Sequence, residues 1–148
     1  MDFSISKFSI RDLYEGQVFS FSTLICEDDV NKFANLSGDV NPLHMIDEFA
    51  VNRGFSRRVV HGVLLSSYVS RLVGIHLPGE NALIHSINLR FMLPAYINDT
   101  IEVEAVVDQI SIITNTIVLS VGIRNVNTQS LLVKGNVQVG FTENINKQ

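Results

Sequence analysis

Val63-Leu64-Leu65-Ser66-Ser67-Tyr68-Val69-Ser70-Arg71-Leu72-Val73-Gly74-Ile75-His76-Leu77 is the stretch on which the reading of this chain turns. Its apolar residues, Val63, Leu64, Leu65, Tyr68, Val69, Leu72, Val73 and Ile75, cover most of the circumference of a helix. Arg71 is its only permanent charge. A helix that is apolar nearly all round has to be buried. Ser66, Ser67, Ser70 and Gly74 are small enough to let other backbone come close.

The second half of the chain supplies the cover for that helix. Ile87, Leu89 and Phe91 alternate with Ser86, Asn88 and Arg90, and Ile101, Val103, Ala105 and Val107 alternate with Glu102 and Glu104. Two more runs repeat the pattern: Ile117, Leu119, Val121 and Ile123, then Leu131, Val133, Val137 and Val139. Pro94, Asn98-Asp99, Asn115 and the segment 125–129 punctuate them. Period-two patterning with one polar face predicts an antiparallel sheet exposed on one side. Upstream, Gln17 to Ile25 alternates as well, with Phe19, Phe21, Thr23 and Ile25 on one side. About five antiparallel strands and one buried helix make an α+β domain in which a sheet covers a helix. Such a sheet has free edges, and pairing them across a dimer removes them.

Between the first strand and the central helix lie two shorter helices. Glu27-Asp28-Asp29 places carboxylates where a helix N-terminus favours them, Val30, Phe33 and Ala34 give one apolar face, and Gly38 stops it. The second is expected from Asp47 or Glu48 to Arg53, capped by Asp47 and ended by Gly54. The segment Ser37-Gly38-Asp39-Val40-Asn41-Pro42-Leu43-His44 joins them, and Pro42 pushes Asn41 out of helical geometry. A rigid polar loop is expected there.

The 148 residues suit one domain, 1–148, with a core large enough to need no metal or disulfide staple. Eleven basic against 15 acidic residues give a net charge of -4, which offers no footprint for nucleic acid. Cys26 is the only cysteine, so no intrachain disulfide forms. The start, Met1-Asp2-Phe3-Ser4-Ile5-Ser6-Lys7, lacks a signal-peptide core, and no run approaches the roughly 18 apolar residues of a membrane helix. A soluble cytoplasmic protein, not bound to membrane, is expected.

Asp39 and His44 sit five residues apart on the expected loop. A carboxylate and an imidazole held together can share one proton-transfer task, and imidazole ordinarily titrates near cellular pH, at about 6.5. Spacing alone leaves the bland alternative standing, in which Asp39 caps the loop and His44 is a satisfied, half-buried histidine.

The run Phe33-Ala34-Asn35-Leu36-Ser37-Gly38-Asp39-Val40-Asn41-Pro42-Leu43-His44 resembles the signature of the (R)-specific enoyl-CoA hydratases, or MaoC-like dehydratases, whose core is Gly-Asp-x-Asn-Pro-x-His. Val60-His61-Gly62-Val63-Leu64-Leu65 is similar to that family's His-Gly entry into its central helix, and Leu89-Arg90-Phe91-Met92-Leu93-Pro94 to its Phe-x-x-Pro segment. The likeness runs from about Gln17 to Phe141. Asn98-Asp99 departs from the Gly-Asp of relatives, a difference in a turn.

The resemblance implies a hot-dog fold and reversible syn hydration of trans-2-enoyl thioesters, linked to coenzyme A or to a carrier protein, to (R)-3-hydroxyacyl thioesters. It implies Asp39 and His44 as the catalytic pair, Asn41 as a support of their loop, and the Gly62 N–H as the group facing the thioester carbonyl. It aligns Ser70 with a serine near the pair, although a small residue for close packing explains Ser70 as well. No cofactor is expected, since coenzyme A or phosphopantetheine is part of the substrate. A homodimer or higher homo-oligomer is expected.

The Gly62 assignment has a physical reason of its own. Conjugate addition builds negative charge on the carbonyl oxygen, and N–H groups at a helix start stabilise it. A missing Cβ lets substrate approach the backbone, although Gly62 also serves a mere turn. Arg53, Arg57 and Arg58 are the densest basic cluster. They are either a solvated surface or a clamp for the phosphates of coenzyme A or an acidic carrier protein. His61 is placed to brace the loop, His76 to favour the dipole at the helix end, and His85 to begin a strand. Their spacing forms no ligand set, so no metal is expected. Two alternatives remain open: a hot-dog acyl-CoA thioesterase, which usually lacks the Asp-x-Asn-Pro-x-His run, and a non-catalytic acyl-thioester-binding subunit.

Overall fold

Strand alternation in the second half of the chain builds the wall against which everything else packs. A computed structural model describes residues 4–142; residues 1–3, the start of the segment read for a signal peptide, and residues 143–148 lie outside the described residues. Five strands form one antiparallel sheet: β1 (Val18–Leu24), β2 (Ala82–Phe91), β3 (Thr100–Ser111), β4 (Thr116–Asn125) and β5 (Leu131–Phe141). Their order is β1-β3-β4-β5-β2, so β1 and β2 are the edges. Ile101, Val103, Val107, Ile117, Leu119 and Ile123 are each at most 1% exposed. Full burial of such side chains is worth about 1.5–3 kcal/mol apiece. The polar partners Glu102, Glu104, Ser120 and Lys134 face the other way, as the period of two requires.

The central helix α4 (Gly62–Arg71) lies on the inner face and continues as a wider π-type turn, Leu72–His76. Leu64, Leu65, Val69, Leu72 and Val73 join the strand side chains in one core. The expectation of burial nearly all round needs correction. Val63 is 65% exposed, and Ser67, Ser70 and Gly74 are also exposed. The sheet covers only one side of α4, and apolar composition does not say which side. The helix also gives way to the π-type turn instead of running on to Leu77, whose N–H bonds the Leu72 carbonyl at 2.9 Å.

Helix α1 (Glu27–Ser37) ends at Gly38, whose φ of +78° is the left-handed conformation that glycine adopts without strain. The expected loop is shorter than its sequence suggests, because Pro42–Met45 closes into one helical turn, α2. Pro42 opens it with its fixed φ, and Asn41 caps it by accepting the Leu43 N–H at 2.9 Å. Helix α3 (Asp47–Asn52) comes directly after. Asp47 is its first residue and not its cap, since its carboxylate takes the Arg58 N–H at 2.8 Å.

Two histidines depart from expectation. His76 does close the helical segment, as its last residue, but not as a cation that favours the dipole. Its ring stacks on Phe19 at 4.4 Å, and its Nε2 is buried with no hydrogen-bond partner among the described residues. Burial, then the nearby Arg71, holds its pKa below the usual 6.5. His85 lies within β2, not at its start, at the irregularity between Ile84 and Ser86.

Candidate functional site

Folding places the acid and the imidazole on either side of the Asn41 cap. Asp39 comes just after the left-handed Gly38, and its Oδ1 accepts the Asn41 N–H at 3.2 Å. His44 rides on α2, two residues past the proline. Its Nδ1 lies 2.7 Å from the Val59 carbonyl oxygen. A carbonyl only accepts, so Nδ1 carries a proton and the neutral ring presents a lone pair at Nε2. That Nε2 is 3.9 Å from Asp39 Oδ2. The separation is too long for a direct hydrogen bond and suits one oxygen atom bonded to both. The Asp39 side chain is half exposed, and that of His44 is 15% exposed.

The Val59 segment is itself fixed from two sides. Val59 N–H bonds the Leu43 carbonyl at 3.1 Å, and Val60 N–H bonds the Ala95 carbonyl at 2.8 Å. This delivers Gly62, the first residue of α4, next to His44. The His61 side chain at the N-cap makes no capping hydrogen bond to the first turn of α4, and the opening N–H groups of a helix have no partner within it. A cavity of about 390 Å³ opens here, lined by His44, Phe55, Val60, Gly62, Leu65 and Phe91 among others. Its apolar walls suit a chain-like ligand, with His44 and the helix start as its polar features.

Phe91 is a site residue that strand alternation alone does not reveal. Its ring lies so close to Gly62 that a Cβ there would stand 3.1 Å from two ring carbons. The only sequence signal for it is its place in the Phe-x-x-Pro run. His61 is more than a brace. It is 1% exposed, and its Nε2 bonds the Asp39 carbonyl at 2.9 Å. Its ring stacks on that of His44, with centroids 3.9 Å apart and planes 29° from parallel.

The three arginines part company. Arg58 is not a phosphate ligand. It is 8% exposed and each of its three guanidinium nitrogens donates within the chain, to the His44 carbonyl at 2.6 Å, Glu27 at 2.8 Å and Asn31 at 2.7 Å. Arg57 is exposed; it bonds the Ile97 carbonyl at 3.0 Å and lies 3.6 Å from Asp99. Arg53 is exposed over the Phe49 ring. Ser70 sits on the uncovered side of α4 and does not line the cavity at His44 and Gly62.

The expectation of no metal rests on spacing along the chain, but folding gathers donor atoms of Asp39, His44 and His61 within 4.8 Å of one another. The two imidazoles of that group are the stacked pair described above, with ring centroids 3.9 Å apart.

An antiparallel sheet curled over one helix, with a carboxylate and an imidazole set at that helix's start, defines a hot-dog domain. The chain belongs to the MaoC-like domain family, whose model matches residues 14–129. It is 37% identical over 91 residues to an (R)-specific enoyl-CoA hydratase of Rhodospirillum rubrum, covering 62% of this chain and 63% of that one. It is 41% identical over 106 residues to a mitochondrial 3-hydroxyacyl-[acyl-carrier-protein] dehydratase of Solanum lycopersicum, covering 70% and 63%. The chain thus spans about 63% of the length of each of these relatives. Among solved structures, an (R)-hydratase of A. caviae involved in PHA biosynthesis superposes with a TM-score of 0.84 at 33% identity, covering 88% of this chain and 98% of that one.

Proposed function

We propose that this protein is a hydro-lyase that adds water reversibly to trans-2-enoyl thioesters, giving (R)-3-hydroxyacyl thioesters. The observation that carries the proposal is the 3.9 Å gap between Asp39 Oδ2 and His44 Nε2, beside the start of α4. Water held by Asp39 gives a proton to the lone pair of His44 Nε2 as its oxygen bonds to Cβ. The C=C electron pair moves toward Cα and the carbonyl oxygen, where the Gly62 N–H meets the developing charge. The imidazolium then returns the proton to Cα from the same side, so addition is syn. Neither redox chemistry nor an added cofactor enters these steps.

The substrate is an acyl group on coenzyme A or on a carrier protein; the Rhodospirillum rubrum relative is named for the first and the Solanum lycopersicum relative for the second. Exposed Arg53 and Arg57 stand near the cavity wall formed by Phe55 and Val59, where phosphates of either carrier would find them. Ser70 is assigned a substrate-side role only in an assembly that covers the outer face of α4. The assembly proposed is a homodimer joined through edge strand β2. Ile87 and Phe91 pair in register with the buried Val137 and Val133, so they share the core face, yet they stay 41% and 50% exposed. A second copy would cover them. No described helix is long and apolar enough to cross a membrane, and a reducing cytoplasm suits the exposed free Cys26.

The test is to supply crotonyl-CoA and track loss of the conjugated double bond, with chiral analysis of the product. Formation of (R)-3-hydroxybutyryl-CoA supports the proposal. Release of free thiol without hydration would instead mark a thioesterase, and tight binding without turnover a non-catalytic subunit.

A further inference from the structure

We infer that His61 is a positioning residue that ties the three working parts of the site together. The inference rests on the hydratase reading. It starts from one buried ring making three separate contacts. Nε2 lies 2.9 Å from the Asp39 backbone oxygen, which only accepts, so Nε2 carries the proton. The face of the ring stacks on His44 at 3.9 Å, and the ring meets Phe33 at 4.8 Å with planes 61° apart. Its backbone is the N-cap of α4, one peptide before Gly62. Moving His61 therefore moves the Asp39 main chain, the plane of His44 and the first turn of α4 together.

The remaining nitrogen is the second observation. His61 Nδ1 is buried and has no hydrogen-bond partner among the described residues. A histidine kept only for packing would give way to an apolar ring, because an unpaired buried acceptor is unfavourable. What the histidine adds over such a ring is the Nε2–H bond to Asp39. It adds a second tie to the Asp39 main chain, whose N–H donates to Ser37 Oγ at 3.1 Å, while the half-exposed side chain accepts the Asn41 N–H. A misplacement of about 1 Å at a reacting group costs up to about 100-fold in rate, so a fixed main chain at Asp39 matters to turnover.

Two substitutions separate the contacts. His61→Phe keeps a flat ring against His44 and loses the bond to Asp39. His61→Gln restores an N–H donor near the Nε2 position and loses the stack. His61→Phe is expected to lower kcat for crotonyl-CoA hydration about 10- to 100-fold, with little change in KM and an unchanged melting temperature. His61→Gln is expected to recover part of that loss. Unchanged kcat in a folded His61→Phe protein would overturn the inference, as would a loss confined to melting temperature. A measurement that needs no activity runs alongside. Nitrogen NMR of histidine-labelled wild-type protein should find His61 protonated at Nε2 and bare at Nδ1. The opposite tautomer would overturn the inference even if the hydratase reading stands. Absence of hydration by wild-type protein with the Nε2–H tautomer present would instead sink the hydratase reading and leave the His61–Asp39 contact intact.

Discussion

Arg58 donates from its buried guanidinium to the main-chain oxygen of His44 at 2.6 Å, and so holds the one-turn helix that carries the imidazole. The same group reaches Glu27 and Asn31 on α1. Arg58→Met should therefore lose the ties between α1 and α2. A destabilisation of about 2–3 kcal/mol is expected in urea unfolding. If Arg58 were a phosphate ligand instead, stability would be unchanged and KM for coenzyme A thioesters would rise.

Gly62→Ala tests the carbonyl site at the first residue of α4. The new methyl would sit 3.1 Å from the Phe91 ring and occupy the approach to the N–H. We expect kcat/KM to fall on the order of 10²–10³-fold in a protein that still folds. The double variant Gly62→Ala with Phe91→Leu should recover part of the loss. Equal losses in single and double variants would show that Phe91 does not share this space.

These contacts mark where the sequence is legible and where it is not. Strand alternation in β3 and β4 announces itself because one face of each strand is sealed against the core while the other meets water. Gly38 is readable as a stop because few other residues take a φ of +78°. Arg58 reads as surface along the chain because its partners lie 14 to 31 residues away. The stack of His61 on His44 and the approach of Phe91 to Gly62 also join segments with no periodic relation along the chain. Apolar residues around α4 show that it packs, but not that one side stays open.

His76 should make stability depend on pH. Its folded pKa lies below 6.5 because of burial, then Arg71. Above about 6.5 the ring is neutral in both folded and unfolded chains and contributes nothing to the difference. As pH falls from there through the lower folded value, the unfolded chain takes up the proton first and stability is lost. Urea midpoints at pH 7.5 and 5.5 should differ more for wild-type protein than for His76→Phe. Identical pH dependence in the two would contradict the assignment.

Edge strand β2 is expected to carry the subunit contact. Ile87→Lys places a charge on the apolar face that a second copy would cover. Sedimentation should show a dimer for wild-type protein and a monomer for the variant, with hydration activity reduced. A wild-type monomer at assay concentration would remove the proposed interface.

Turnover of crotonyl-CoA by Asp39→Asn is the most direct test of the account. Asparagine keeps the size of the side chain and an oxygen for the Asn41 N–H, but it no longer brings a negative charge to the water shared with His44. The expected result is a kcat lower by about 10²–10⁴-fold in a protein with wild-type melting behaviour. Turnover at the wild-type rate would contradict a mechanism built on this carboxylate and imidazole.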